Sequence, residues 1–214
     1  ALPMILGNLL QQCYNIVDTW VVGHYVSSAA LGAVGSAFAL MTFLTSVLLG
    51  LCMGSGVVFS LCFGTRDEAR LEEGLRASAL LTAAVAALLT AVSLLGVDAI
   101  VVWMNIPWEI TEMTRDYLVL VFCGIPAIAL YNFFAAYLKA LGNSVVPLVF
   151  LGVSTALNIA LDLLLVAVYP FGTAGAAAAT IIAQYVSGLG LGLYAFLRDR
   201  RLRQAFRRFR VRRA

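Results

Sequence analysis

Six apolar stretches, each long enough to cross a bilayer, follow one another with only short polar breaks between them. A span needs about 20 residues to cross a hydrocarbon core of about 30 Å. Charge, Pro and Gly bound spans at roughly 2–25, 32–63, 76–102, 115–138, 145–168 and 173–196. The connections read VSSAA, GTRDEARLEEG, NIPWEITEMT, KALGNS and YPFG. Composition closes off the soluble alternative: 62% of the 214 residues are apolar and 12% charged, against about 45–50% and about 25% in a soluble domain. The implied fold is an all-α integral membrane bundle, and a cytosolic enzyme is excluded. Pro107, followed by Glu109 and Glu112, predicts a short helix on the membrane surface before the fourth span. Pro126 inside that span predicts a kink.

Charge divides the chain into two parts. The tail after Phe196 carries nine arginines against Asp199, a net +8, whereas the rest is −5. This gives a transmembrane lobe over 1–197 and a basic amphipathic tail over 198–214, with Leu202, Ala205, Phe206 and Phe209 at helical spacing. Because the tail directly follows a span, anionic lipid headgroups are its expected partner rather than nucleic acid. It is expected to lie in the interface with its apolar face toward lipid. With the tail inside and six spans, Arg66, Arg70, Arg76 and Lys139 also fall inside and only Arg115 is outside. Both ends of the segment are therefore expected in the cytoplasm, by the positive-inside rule. His24 reads as an interfacial residue, and the four cysteines, which lack CxxC spacing, read as small core residues. Small residues such as Gly188, Gly192 and the run TAGAAAAT from Thr173 predict close helix packing.

Two acidic residues, Asp18 and Asp162, sit well inside spans. A carboxylate at that depth costs about 2.5–3.5 kcal/mol on insertion scales, and such residues mark ion or proton pathways. At about 1.5 Å per residue, Asp18 lies about 24 Å and Asp162 about 25 Å above the inner ends of their helices, with Thr180 at about 20 Å. Asn158 lies one turn below Asp162 on the same face, and Asn15 has the same relation to Asp18. Carboxylates, carboxamides and a hydroxyl from three helices thus share one slab. Such oxygens suit either a hard cation such as Na⁺ or a carboxyl pair that carries a proton.

The residues around these positions resemble a known family. LPMILGNLLQQCYNIVDTWVVGHY with SSAALGAVG resembles the first-helix signature of multidrug and toxic compound extrusion (MATE) transporters. SLCFGTRDEARLEEG resembles their loop between helices two and three. KALGNSVVPLVFLGVSTALNIALDLLLV and FGTAGAAAATIIAQ resemble their helices five and six. Asp in helix one, Asn and Asp one turn apart in helix five, and Thr in helix six resemble the DinF-like branch. The resemblance implies a six-transmembrane-helix bundle that is one lobe of a twelve-helix antiporter in the plasma membrane. Its partner would be a second six-helix lobe, and the missing initial methionine and the position of the tail point to a segment of a longer protein. It further implies export of small cationic amphipathic compounds in exchange for H⁺ or Na⁺, with no other cofactor. Asp18, Asn158, Asp162 and Thr180 would form the coupling-ion site, with Tyr117 of the DYL run, and Asn15, as accessories.

Other readings fit less well. A lipid-linked oligosaccharide flippase of the same superfamily shares the architecture, but the spans carry no mid-span Arg or Lys to meet a pyrophosphate. An intramembrane aspartyl protease would need YD and GxGD where this chain reads VD and LD, and a serine type would need a deep histidine. A non-transporting membrane module is the remaining alternative.

Overall fold

The structure is a computed structural model that describes residues 2–26, 28–169 and 171–207; among these, the side chains of residues 2–4, 8, 14, 18, 28–30 and 207 lie outside the description. The described residues form helices throughout. α1 runs Leu2–Tyr25, α2 Ser28–Gly64, α3 Glu68–Leu95 and α4 Val97–Trp103. α5 covers Trp108–Cys123, α6 Ile125–Ala140, α7 Val145–Asp162, α8 Gly172–Arg198 and α9 Arg200–Arg207. A π-helical turn, Leu163–Val168, continues α7. Among the described residues five helical stretches are long and apolar enough to cross a membrane: Leu31–Gly64, Glu68–Leu95, Trp108–Ala140, Val145–Val168 and Gly172–Arg198. α1, with 24 residues, has the length but carries Asn8, Gln11, Gln12, Asn15 and Asp18. Leucines and valines such as Leu61, Leu88, Val92 and Leu193 point outward, as lipid solvent requires of a bundle whose backbone polar groups are satisfied internally.

The breaks between elements have local causes. The Asp67 side chain accepts the Arg70 N–H at 3.0 Å, which caps α3 eight residues before the span expected at 76. Gly142, at φ +85°, makes the left-handed turn that ends α6, and Asn143 Oδ1 then accepts the Val146 N–H at 3.2 Å to start α7. Near Pro126 the helix is interrupted, at Gly124 two residues before it. Pro126 has no N–H to give the carbonyl one turn back, the helix tightens so that the Gly124 N–H reaches Val121 C=O at 2.9 Å, and α5 gives way to α6.

Three expectations are corrected. Pro107 does cap a helix, but no separate surface helix forms, because α5 runs unbroken from Trp108 into the span. No residue between Glu112 and Tyr117 interrupts it, and the Thr111 and Thr114 hydroxyls bond back to Pro107 and Ile110 C=O at 3.0 and 2.8 Å. Part of the tail's apolar face is covered by protein rather than lipid: Leu202 and Ala205 of α9 are fully buried where α9 packs on α3 and α8, whereas Phe206 is exposed. Asp199 makes the corner, accepting the Tyr137 hydroxyl at 2.7 Å and the Arg201 N–H at 2.8 Å. Arg201 reaches Glu68 at 3.2 Å and lies over the Phe63 ring. Phe209 and the arginines beyond Arg207 lie outside the described residues. Of the cysteines only Cys52 is buried, whereas Cys13 and Cys123 are exposed.

The core has two parts. Around Tyr137 at the arginine-bearing end it is aromatic, with Phe59, Phe133 and Phe134. At the other end it is built from small and branched residues, including Val21, Val22, Ala37, Leu118, Val166, Ala176 and Ala177. His24 stacks on Trp20 at 5.2 Å and is exposed, as an interfacial residue would be.

Candidate cation site

α7 and α8 pack as an antiparallel pair joined by polar contacts one helical turn apart. Ser187 Oγ donates to Phe150 C=O at 3.1 Å, and Ser154 Oγ donates to Ala183 C=O at 3.0 Å. One turn further on, Asn158 Nδ2 donates to Thr180 Oγ1 at 3.4 Å. The next step of the same register sets Asp162 against the Ala176 turn. Positions four apart share a face of a helix, and the small residues of TAGAAAAT let the two backbones approach. Sequence spacing put Asn158, Asp162 and Thr180 in one slab, and the helix pair brings them to one seam.

Burial is complete at the carboxyl group. Asn158 and Asp162 are fully buried, and Thr180 is 9% exposed. Asp162 and Thr180 are both engaged. Asn158 Oδ1 is buried with no hydrogen-bond partner among the described residues, although a buried acceptor without a donor costs about 1–3 kcal/mol. This is an unsatisfied oxygen one helical turn from a buried carboxylate.

The π turn that starts at Leu163, directly after Asp162, was not anticipated from the residue pattern. Such turns occur mainly as single interruptions in α-helices, frequently at functional sites. Gly175 accommodates it, since a Cβ there would stand 2.7 Å from Leu165 C=O. The only advance signal was the glycine within the alanine run of α8.

α1 approaches α7 in parallel. A Cβ on Gly7 would lie 3.8 and 3.9 Å from Leu148 and Leu151, and one on Gly152 would lie 3.9 Å from Leu10. Eight residues further along both helices, position 18 comes level with position 160, about 3 Å of rise from Asp162. The Asp18 side chain itself lies outside the described residues. Asn15 is half-buried, and its amide donates to Gln12 Oε1 at 3.4 Å on its own helix, so the structure does not join it to Asn158 or Asp162. Tyr117 is buried and engaged, in the same core cluster as Val166, Ala176 and Ala177. Among the described residues no group of three or more His, Cys, Asp or Glu side chains converges, so oxygen from amides and hydroxyls has to supplement the carboxylates in any cation site here.

A multi-pass helical membrane protein with a polar cluster buried deep between its helices is the class that fold and site define. The MatE family model matches residues 3–164, and the chain belongs to this family, whose members are transporters and not enzymes. It is 29% identical over 196 residues to the probable multidrug resistance protein YoeA of Bacillus subtilis, covering 90% of this chain and 42% of that protein. It is also 29% identical over 187 residues to DNA damage-inducible protein F of Escherichia coli, covering 87% of this chain and 41% of that one. Equal identity to the two leaves the DinF-like assignment unsupported by the comparisons. A crystal structure of a MATE transporter in the bent conformation superposes with a TM-score of 0.86 at 25% identity, covering 94% of this chain and 45% of that one. The chain thus spans less than half the length of these relatives, and its fold matches about half of a MATE transporter.

Proposed function

We propose that this chain forms one lobe of a plasma-membrane antiporter that exports small cationic amphipathic compounds, including drugs, in exchange for H⁺ or Na⁺. The second six-helix lobe would complete the transport path. The observation that carries this reading is the fully buried Asp162 beside Asn158, whose Oδ1 has no donor, with Thr180 across the seam. Asp18 supplies the second carboxylate from α1, Tyr117 is an accessory group, and the Asp and Asn pattern is that of the DinF-like branch. A bound cation relieves the unsatisfied oxygen and the buried charge together, so its arrival and departure change the relative stability of the two transport states. Only such a differential interaction shifts a conformational equilibrium. The arginine-bearing end, where α9 meets Glu68, faces the cytoplasm, as do both ends of the segment.

The test is dye efflux from proteoliposomes holding the intact protein, with pH and Na⁺ gradients imposed separately. Asp18→Asn and Asp162→Asn should each reduce gradient-driven efflux to background with unchanged expression and melting temperature. Efflux at the wild-type rate in both variants refutes the site, and the gradient that drives the wild type identifies the ion.

A further inference from the structure

A second feature lies outside the polar seam, on the α3 side of the bundle. A cavity of about 570 Å³ is bounded by α3, α6, α8 and α9. Its walls are apolar: Ala79, Ala83 and Ala86 of α3 face Phe134 of α6. Tyr185 also borders it, but the tyrosine hydroxyl is already given to Cys123 C=O at 2.9 Å. Leu80, Ala83 and Ala87 on its rim are exposed, so the mouth opens sideways, away from the bundle and within the span of α3. At one end stand Arg76 and Phe206, the latter packed on Phe196 with ring centroids 5.3 Å apart.

Length and charge together select an occupant. From Arg76 to Ala87 the groove runs eleven residues of α3, about 16 Å, which matches one leaflet of a hydrocarbon core about 30 Å thick. Its charged end coincides with the arginine-bearing end of the bundle. Arg76 is partly exposed and Arg200 and Arg203 are exposed. The Arg76 guanidinium makes one bond, to Glu72 C=O on its own helix at 3.3 Å, and among the described residues it forms no ion pair. Glu72, one turn earlier, is buried and itself engaged. Arg76 therefore has donors to spare for an anionic oxygen, and a guanidinium matches phosphate geometry well.

We infer that this groove holds one acyl chain of an anionic phospholipid of the surrounding leaflet, with its headgroup phosphate against Arg76 at the foot of α9. The inference needs only a chain that spans the membrane and is independent of the cation site. Headgroup attraction of this kind also explains why α9 can bury Leu202 and Ala205 in the protein while leaving arginines at the lipid surface. The docked helix forms the end wall of a lipid site.

Native mass spectrometry of the intact protein, offered phosphatidylglycerol or phosphatidylcholine with identical acyl chains, tests this. The wild type should retain phosphatidylglycerol about tenfold better, the size of a charge-assisted contact. Arg76→Gln should bring the two lipids to parity, Ala83→Trp should lose both, and both variants should keep the wild-type melting temperature in lipid-free detergent. If Ala83→Trp does not fold, Ala87→Phe fills the same groove. Lipid retention unchanged in the filled variant, or a preference that survives Arg76→Gln, overturns the inference.

Discussion

The two ends of the bundle are built from different materials. At the arginine-bearing end Phe59 meets Phe133 and Tyr137 edge-on at 6.0 and 5.9 Å, and Phe133 meets Phe134 at 5.3 Å. Such pairs add about 0.5–1.5 kcal/mol each beyond the area they bury, and the Tyr137–Asp199 hydrogen bond fastens α9 to the same cluster. At the other end the core is valine, leucine and alanine around Tyr117, and the helices are interrupted. Gly96 separates α3 from α4, Gly124 separates α5 from α6, and the π turn follows Asp162. The half that carries the buried carboxylate is also the half whose backbone is least regular. The contrast teaches that one end is an anchor; under the proposed function, the other is where a change of protonation or cation occupancy would be converted into helix movement.

Substitutions should separate the two halves. The largest stability effect belongs to the anchor: Phe59→Ala, at a fully buried ring, should cost about 3–5 kcal/mol. This would appear as a marked drop in melting temperature, with ion coupling retained in the protein that still folds. Tyr137→Phe should cost less, about 1.5–3 kcal/mol for a hydrogen bond to a carboxylate, and should make the α8–α9 junction a new site of limited proteolysis. Gly175→Leu drives a side chain against Leu165 C=O and should cost about 1–3 kcal/mol. Its larger consequence should be in transport, because it strikes the π turn beside Asp162. An intact coupling ratio in Gly175→Leu would erase the distinction between the halves. The smallest effect is expected for Arg201→Gln, since its partly exposed pair with Glu68 contributes at most about 1 kcal/mol; thermal melts at low and high salt measure it.

Much of this organisation was legible in the residues because lipid enforces it. A polar backbone in hydrocarbon must be helical, so the limits of α1 and the start of α7 at Val145 followed from the hydropathy pattern. Asn158, Asp162 and Thr180 could be placed together because 1.5 Å of rise per residue converts sequence position into depth. The α9 docking could not be read, since an amphipathic pattern tells which face of a helix is apolar but not whether lipid or protein covers it. The continuation of α5 through Glu109 and Glu112 was hidden because polar first turns look alike in a surface helix and in a span that projects from the membrane. The π turn depends on α8 accommodating it at Gly175, a contact between distant residues with no local signature. Asn15 shows the limit of the depth argument: it shares the slab with Asn158, yet its amide is spent on Gln12 along its own helix.

The central claim is that Asp18 and Asp162 share a single exchangeable cation. Equilibrium cation binding to the intact protein tests it, with labelled Na⁺ and proton uptake measured side by side for the wild type, Asp18→Asn and Asp162→Asn. The account predicts that each variant binds one cation fewer than the wild type and that the double variant loses no more than either single one. Wild-type binding in either single variant, or additive loss in the double, would contradict it.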